Sequence, residues 1–213
     1  MYNGLVMKYV IYDFNGTVLD DTEVCLKAEN YTIEHFGLER EPLTMDEYLH
    51  IFTFPVQKYY ENVGFDWSKN SYAEVGQYWF GWYRALRDEY KVHDGVIEVL
   101  KKSRERGSKN ILLSASSLVE LRKQLEELGI EEYFDEVLGI DNIYAGSKID
   151  IALEWIKDKD PADCLMIGDS LHDLETAQAM GVDCILVAKG HQAKDVLLAS
   201  YDKVVDDIRE VEL

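Results

Sequence analysis

A chain of 213 residues is long enough for one core domain of about 100–200 residues plus a sizeable insertion. Its 22 lysines and arginines stand against 41 aspartates and glutamates, a formal charge of −19 that repels nucleic acid and anionic membrane faces and argues against either as a partner. No stretch of about 18 apolar residues occurs and Met1 to Met7 lacks a basic region before an apolar run, so neither a membrane span nor a signal peptide is expected.

An anionic substrate would need this acidic field reversed locally, by a metal ion or a placed lysine. Cys25, Cys164 and Cys184 are odd in number and scattered, and are read as buried thiols in a reducing cytosol.

The run Tyr9 to Tyr12 is β-branched and aromatic and predicts a buried strand that ends in Asp13. In open α/β sheets ligands bind beyond the carboxyl ends of the strands, which puts Asp13 where chemistry is usually done. The plainer alternative is a turn: Asn15-Gly16 is a strong turn signal, and the aspartate before it then bonds only to its own backbone.

From about Thr22 to Tyr90 the periodicity becomes helical and aromatic residues crowd between Tyr31 and Tyr83. Three or four helices are expected, with breaks near residues 37–43 and 64–70, the rings forming mainly the core of a small bundle and a few facing Asp13. From His93 onward strands and helices alternate with short connections, which predicts a parallel sheet covered on both faces. A helix over Gly95–Arg106 leads to the strand Asn110–Ser114. Ser117 and Glu120 read as a capping box for a helix with Leu118, Leu121, Leu125 and Leu128 on one stripe, stopped by Gly129. A strand near Glu136–Gly139, a helix capped by Ser147 from Lys148 to about Asp158, and the strand Cys164–Gly168 follow. Ser170 and Asp173 then open a helix through Met180, closed by Gly181. The strand Asp183–Val187, a short helix near Ala193–Ala199 and a strand-and-helix tail complete the chain. The fold class is therefore α/β, with a Rossmann-like parallel core interrupted by an all-α insertion.

Three strand ends converge on one crevice: Asp13 with Asn15, Ser114 with Ser116, and Asp169 with Asp173. Carboxylates from opposite ends of the sequence suit a hard cation such as Mg²⁺, although Asp173 on its own is better explained as a helix cap. Lys148 in a first helical turn opposes the helix dipole, which a bound anion would explain and a tolerated surface lysine would also satisfy. Ser114 offers a hydroxyl and free backbone N–H groups to a phosphate, or is a plain loop serine.

The set D-F-N-G-T-V at Asp13–Val18, the strand ending in Ser114, Lys148, and G-D-S-L-H-D at Gly168–Asp173 resembles the four ordered motifs of the haloacid dehalogenase superfamily. The helical insertion sits where that superfamily places its cap, and the layout is nearest the phosphoglycolate-phosphatase-like branch. The resemblance implies a core of residues 1–19 and 91–213 and a cap of residues 20–90. It implies Asp13 as the nucleophile that becomes an aspartyl-phosphate, Ser114, Ala115 and Lys148 as phosphate holders, Gly16 and Thr17 as the adjoining turn, and Asp13, the backbone carbonyl of Asn15, Asp169 and Asp173 as Mg²⁺ ligands. Phe52, Thr53 and Phe54, before Pro55, match the cap loop that dips toward substrate.

One position departs from the pattern. Phosphatases of the superfamily carry a general acid and base two residues after the nucleophile, and here that position is Asn15, which transfers no proton near neutral pH but retains hydrogen-bond donors. The expected function is a cytoplasmic Mg²⁺-dependent phosphatase of a small phosphorylated metabolite, handicapped at the proton-transfer step. The alternative is a non-catalytic phosphate-ligand binder or regulatory protein; transfer to an acceptor other than water is a third reading.

Overall fold

The computed structural model describes residues 7–140 and 147–213; the first six residues of the expected core lie outside them. Strand β1 (Tyr9–Asp13) runs through the middle of a six-stranded sheet. Helices α1 (Thr22–His35), α2 (Met45–Ile51), α3 (Val56–Val63) and α4 (Tyr72–Ala85) form the insertion. They leave and re-enter the core through a short antiparallel pair, β2 (Leu19–Asp20) with β3 (Lys91–Val92). The rest of the chain gives α5 (Val96–Glu105), β4 (Lys109–Ser117), α6 (Leu118–Leu128), β5 (Glu136–Ile140), α7 (Lys148–Ile156), β6 (Cys164–Gly168), α8 (Leu171–Met180), β7 (Asp183–Val187), α9 (Lys194–Leu198) and β8 (Val204–Val205).

The strand order is β5-β4-β1-β6-β7-β8, and every neighbouring pair is parallel. After β1 the chain first builds one flank, β4 and β5, and then crosses to build the other. The order therefore reverses at β1, and the crevice beyond the ends of β4, β1 and β6 is the expected ligand position of such a sheet.

Strands β1, β6 and β7 are buried at nearly every position because helices cover both faces. Val10, Tyr12, Leu112 and Ile167 pack with α5, α6 and the insertion, while Ile11, Ile111, Leu113 and Met166 pack with α7, α8 and α9. This alternation follows from the two-residue period of a strand. Each fully buried aliphatic side chain contributes roughly 1.5–3 kcal/mol, so the continuous apolar runs read from the sequence are the foundation of the site. Cys25, Cys164 and Cys184 are free and buried.

Four local expectations are corrected. Ser117 precedes α6, but its side chain makes no capping bond; Glu120 turns away and accepts from Arg84 at 3.0 Å. Strand β4 continues past Ser114, because an irregularity between Leu113 and Ser117 lets the chain pair again with Ile140. The insertion has a third break, Phe52–Pro55, with a cis Phe54–Pro55 peptide. The tail ends in a single 3₁₀ turn, Ile208–Glu210. The Ser147 cap is present, accepting from the Asp150 N–H.

Candidate active site

Asp13 stands at the end of β1, Asp169 directly after β6, and Asp173 in the first turn of α8; Lys148 opens α7. All four are buried, and Lys148 Nζ bonds both Asp13 and Asp173. The lysine that opposes its helix dipole thus lies between carboxylates, at 3 % exposure, and is not a surface residue. One oxygen of Asp173 accepts from the N–H groups of Asp169 and Ser170 and from the Ser170 hydroxyl (3.1, 3.0 and 2.7 Å), leaving the other for Lys148. The capping role and the site role therefore coexist in one side chain.

The turn and site readings of Asn15-Gly16 also coexist. Gly16 has φ +78°, and a Cβ there would intrude on the Asp169 carboxylate and the His191 ring. Its N–H donates to Asp21 at 3.0 Å. Thr17 donates its hydroxyl to Asp169 at 2.9 Å. Gly16 and Thr17 consequently stand behind Asp169, in the turn that adjoins Asp13. Ser114 and Ala115 line the crevice, with the Ser114 hydroxyl accepting from the Ser116 N–H at 3.0 Å.

The Asn15 amide nitrogen donates toward the neighbouring pair Asp21 (2.8 Å) and Tyr83 oxygen (3.1 Å). Asp21 precedes α1 at its N-cap, yet its side chain makes no cap bond. Forgoing a cap worth about 1 kcal/mol, it instead accepts from Asn15, Gly16 and Tyr83 and pairs with His191 Nε2 at 3.2 Å. His191 lies just after β7. Its backbone N–H donates to Asp169 at 2.7 Å, and its Nδ1 meets the Tyr48 hydroxyl at 2.9 Å.

Asp21 and His191 went unread in the sequence, while Tyr48 and Tyr83 are among the rings of the insertion of which a few were expected to face Asp13. The available signals were the doublet Asp20-Asp21 at a helix start and a fourth strand end, Val187, followed by Gly190-His191. A Cβ at Gly190 would also intrude on Asp169.

The electrostatics follow from burial. Asp13 is pushed well above the ordinary carboxylate range by burial, with Asp173 and Asp169 adding to the push and Lys148 opposing it. Burial raises Asp169 to about 6, with Asp173 adding to the rise and His191 and Thr17 pulling back. Burial alone would raise Asp21 and Asp173 too, but His191 holds the first and Lys148 the second below the usual value. Burial would lower His191, yet Asp21 and Asp169 hold it up at about 9, so both ring nitrogens donate near neutral pH. Burial opposes the charge of Lys148, and Asp13 and Asp173 more than compensate.

Four buried acids therefore face two cations at this crevice among the described residues. Ligand oxygens of Asp13, Asp169 and Asp173 lie within 4.8 Å of one another. An all-oxygen donor set with a deficit of two positive charges fits a hard divalent cation.

A cavity of about 400 Å³ opens above Asp13. Its far walls are rings from the insertion, including Phe52 and Phe54 of the loop after α2, whereas Thr53 lies outside the lining, with its hydroxyl on the Phe54 carbonyl. Phe52 stacks on His191 and Phe54 on His172, with centroids 5.1 and 4.3 Å apart. Gln192 Nε2 donates to the Phe52 carbonyl at 2.9 Å, and the Ala193 N–H to that of Leu49 at 3.1 Å, so insertion and core are bonded across the mouth.

The point where the strand order reverses thus carries three carboxylates and a lysine within one crevice, in an α/β sheet of the hydrolase type. The chain belongs to the haloacid dehalogenase-like hydrolase family, whose model matches residues 10–187. It is 22 % identical over 215 residues to a phosphoglycolate phosphatase from Aliivibrio fischeri, covering 94 % of this chain and 92 % of that one. It is also 24 % identical over 220 residues to the tyrosine-protein kinase PtkA from Mycobacterium tuberculosis, covering 94 % and 71 %. A haloacid dehalogenase-like family protein from Streptococcus pneumoniae has the same fold, with a TM-score of 0.79 at 18 % identity over 95 % of each chain.

Proposed function

We propose that the protein is a Mg²⁺-dependent phosphatase of a small phosphorylated metabolite, with Asp13 as nucleophile. The observation that carries this reading is the pairing of buried Lys148 with Asp13 and Asp173 beside Asp169. An apolar setting for three carboxylates and a lysine is costly for stability and is explained by charge arriving with the substrate.

In this reading the substrate phosphoryl group enters between Asp13 and the loop Ser114–Ala115. Lys148 lies against one phosphoryl oxygen, and the Ser114 hydroxyl and the Ala115 N–H hold another. Asp13, Asp169, Asp173 and the Asn15 carbonyl would hold the metal, which when bound neutralises charge on the phosphoryl oxygens. Asp13 Oδ attacks phosphorus in line with the departing oxygen, giving an aspartyl-phosphate, and water then releases phosphate and restores the carboxylate. Thr17, Gly16 and the His191 N–H fix the orientation of Asp169. Helices α1–α4, within a cap of residues 20–90, close over the core of residues 1–19 and 91–213 and exclude water. A reducing, cytoplasmic setting agrees with the three buried thiols.

Asn15 slows both proton transfers; a group at this position contributes about 10²–10⁴-fold. The test is hydrolysis of acetyl phosphate with Mg²⁺, with excess chelator, and by Asp169→Asn. Turnover that needs Mg²⁺ and is lost in the variant is expected. Full turnover in chelator would refute the metal role, and tight phosphate binding without any turnover would make the protein a binder.

A further inference from the structure

The two ends of the cavity differ in kind. At the floor are the carboxylates and Lys148; at the roof are rings of the insertion, among them Phe54, Tyr60, Trp79 and Phe80. We propose that the substrate is a compact aryl phosphate monoester, its ring held among these side chains and its phenolic oxygen acting as the leaving group. This rests on the phosphatase reading and narrows its substrate class.

The first support is charge. Among the described residues lining the cavity, Lys148 is the only lysine or arginine, and it is already bonded to Asp13 and Asp173. Arg84 lies over the outer side of the Phe80 ring at 4.5 Å, in the neighbouring cavity that Arg87 and Lys123 also line, and is paired with Glu120 at 3.0 Å, so no lysine or arginine at the roof of this cavity is set to receive a second anionic group, such as the carboxylate of phosphoglycolate. His172, at the mouth, is stacked on Phe54 and faces Glu175.

The second is shape. A volume of about 400 Å³ is near the lower end of the roughly 300–1,000 Å³ typical of small-molecule sites, enough for one or two fused rings with a phosphate. Rings pack edge-on or offset against one another, and the roof already does so, with Trp79 and Tyr83 stacked at 5.2 Å.

The third is the missing proton donor. An amide at position 15 transfers no proton near neutral pH; its nitrogen donates toward Asp21 and Tyr83, the Tyr83 hydroxyl donates to Asp21 at 2.8 Å, and the Ser116 hydroxyl reaches Asn15 Oδ1 at 3.4 Å. No acid therefore stands at position 15 to protonate a departing oxygen. An alkoxide leaves poorly without a proton, whereas a phenolate is a far weaker base. As the Asp13 Oδ–P bond forms, the P–O bond to the aryl oxygen breaks. The phenolate departs with the electron pair and takes its proton from solvent. Water then attacks phosphorus, one of its protons passing to the released phosphate, and Asp13 returns as carboxylate.

The experiment measures kcat/KM of the full-length protein with Mg²⁺ for 1-naphthyl, phenyl and benzyl phosphates, 2-phosphoglycolate and acetyl phosphate, and dissociation constants for 1-naphthyl phosphate and 2-phosphoglycolate by calorimetry. Naphthyl should exceed phenyl by about 3–10-fold, as expected for one added ring contact. Phenyl should exceed benzyl by about 10²-fold, because benzyl keeps the ring but leaves as an alkoxide. Trp79→Phe and Phe54→Leu should raise KM for 1-naphthyl phosphate more than for acetyl phosphate. Benzyl equal to phenyl, or phosphoglycolate equal to either, would overturn the proposal while leaving a phosphatase. Failure of acetyl phosphate as well would refute the phosphatase itself, and calorimetry would then decide the cavity's preference: tighter binding of phosphoglycolate than of naphthyl phosphate refutes the aryl assignment.

Discussion

The floor and the roof of the cavity are built on opposite principles. On the floor nearly every polar atom is assigned: Asp169 accepts from Thr17 and His191, Asp173 from Ser170 and Lys148, and Asp21 from Asn15 and Tyr83. The roof is made of rings packed against one another, where geometry is set by shape and few bonds are directional. Charged groups held in a fixed network suit a transition state whose charge moves in a known direction. An aromatic wall instead selects by fit. Substitutions on the floor should therefore alter chemistry and the protonation balance of the fold, and substitutions on the roof should alter recognition alone.

The sharpest way to break this contrast is Asp13→Asn. Turnover should fall at least ~10⁴-fold, as expected for loss of a nucleophile. The same change should raise the thermal midpoint in chelator. The Asp13 pKa is raised in the fold. The unfolded chain therefore ionises first as pH rises, and the carboxyl lowers stability between its unfolded value and its raised folded one. A calorimetric scan at pH 7 in chelator checks both the sign and the site. Lower stability for the variant would mean that Lys148 dominates the balance.

Lys148→Ala should be the most damaging change to the apo fold. Removing one partner of a buried ion pair typically costs 3–5 kcal/mol, here by leaving Asp13 and Asp173 facing each other. Viewed only as a lysine opposing a helix dipole, its removal would be expected to stabilise slightly; burial reverses that expectation. Urea unfolding with and without Mg²⁺ measures the loss, and the metal should restore part of it.

Asn15→Asp tests how the missing acid is accommodated. From the sequence alone this change should restore a proton shuttle. In the structure it places a carboxylate about where the amide now donates to Asp21, so the new group shares a proton with Asp21 and gains little. The double variant Asn15→Asp/Asp21→Asn frees it and should raise kcat for benzyl phosphate by ~10²-fold over the single change. Equal rates in the two variants would remove Asp21 from the explanation.

The smallest effect is expected furthest from the floor. Glu29 is buried in α1, and burial pushes its pKa up to about 8, with Tyr59 and Arg40 pulling back only in part. The unfolded chain ionises near 4.5 and the folded one near 8, so this group lowers stability progressively across that window and by a constant amount above it. Glu29→Gln should therefore stabilise by about 1–3 kcal/mol at pH 8 and by almost nothing at pH 4.5, read from urea midpoints. The catalytic rate should not follow it.

The same division governs what could be read from the sequence. Four residues of the floor were legible because each ends or follows a strand or opens a helix. Asp13 and Asp169 end apolar runs, Asp173 sits three residues after a capping serine, and Lys148 breaks the dipole rule. Asp21 and His191 escaped because an aspartate at a helix start is fully explained as a cap, and a histidine in a loop carries no period. Only the structure shows that Asp21 declines its cap. The Ser117–Glu120 box failed for the related reason that its glutamate found Arg84 in the insertion, a contact between elements that no local pattern contains. The roof was legible as composition but not as geometry. Tyr48, Tyr59 and Tyr83 are buried within the bundle and also line the cavity, so core and ligand wall are the same rings.

The central claim, an Asp13 nucleophile working without an acid or base at position 15, is tested most directly by rapid-quench mass spectrometry of the protein mixed with phenyl phosphate and Mg²⁺. Formation of the aspartyl-phosphate needs no proton from Asn15, whereas its hydrolysis lacks a base, so the intermediate should accumulate. The expected result is a mass increase of one phosphoryl group within the first turnover, mapped to Asp13 and absent from Asp13→Asn. Steady release of phosphate with no such adduct, or an adduct that persists in Asp13→Asn, would contradict it.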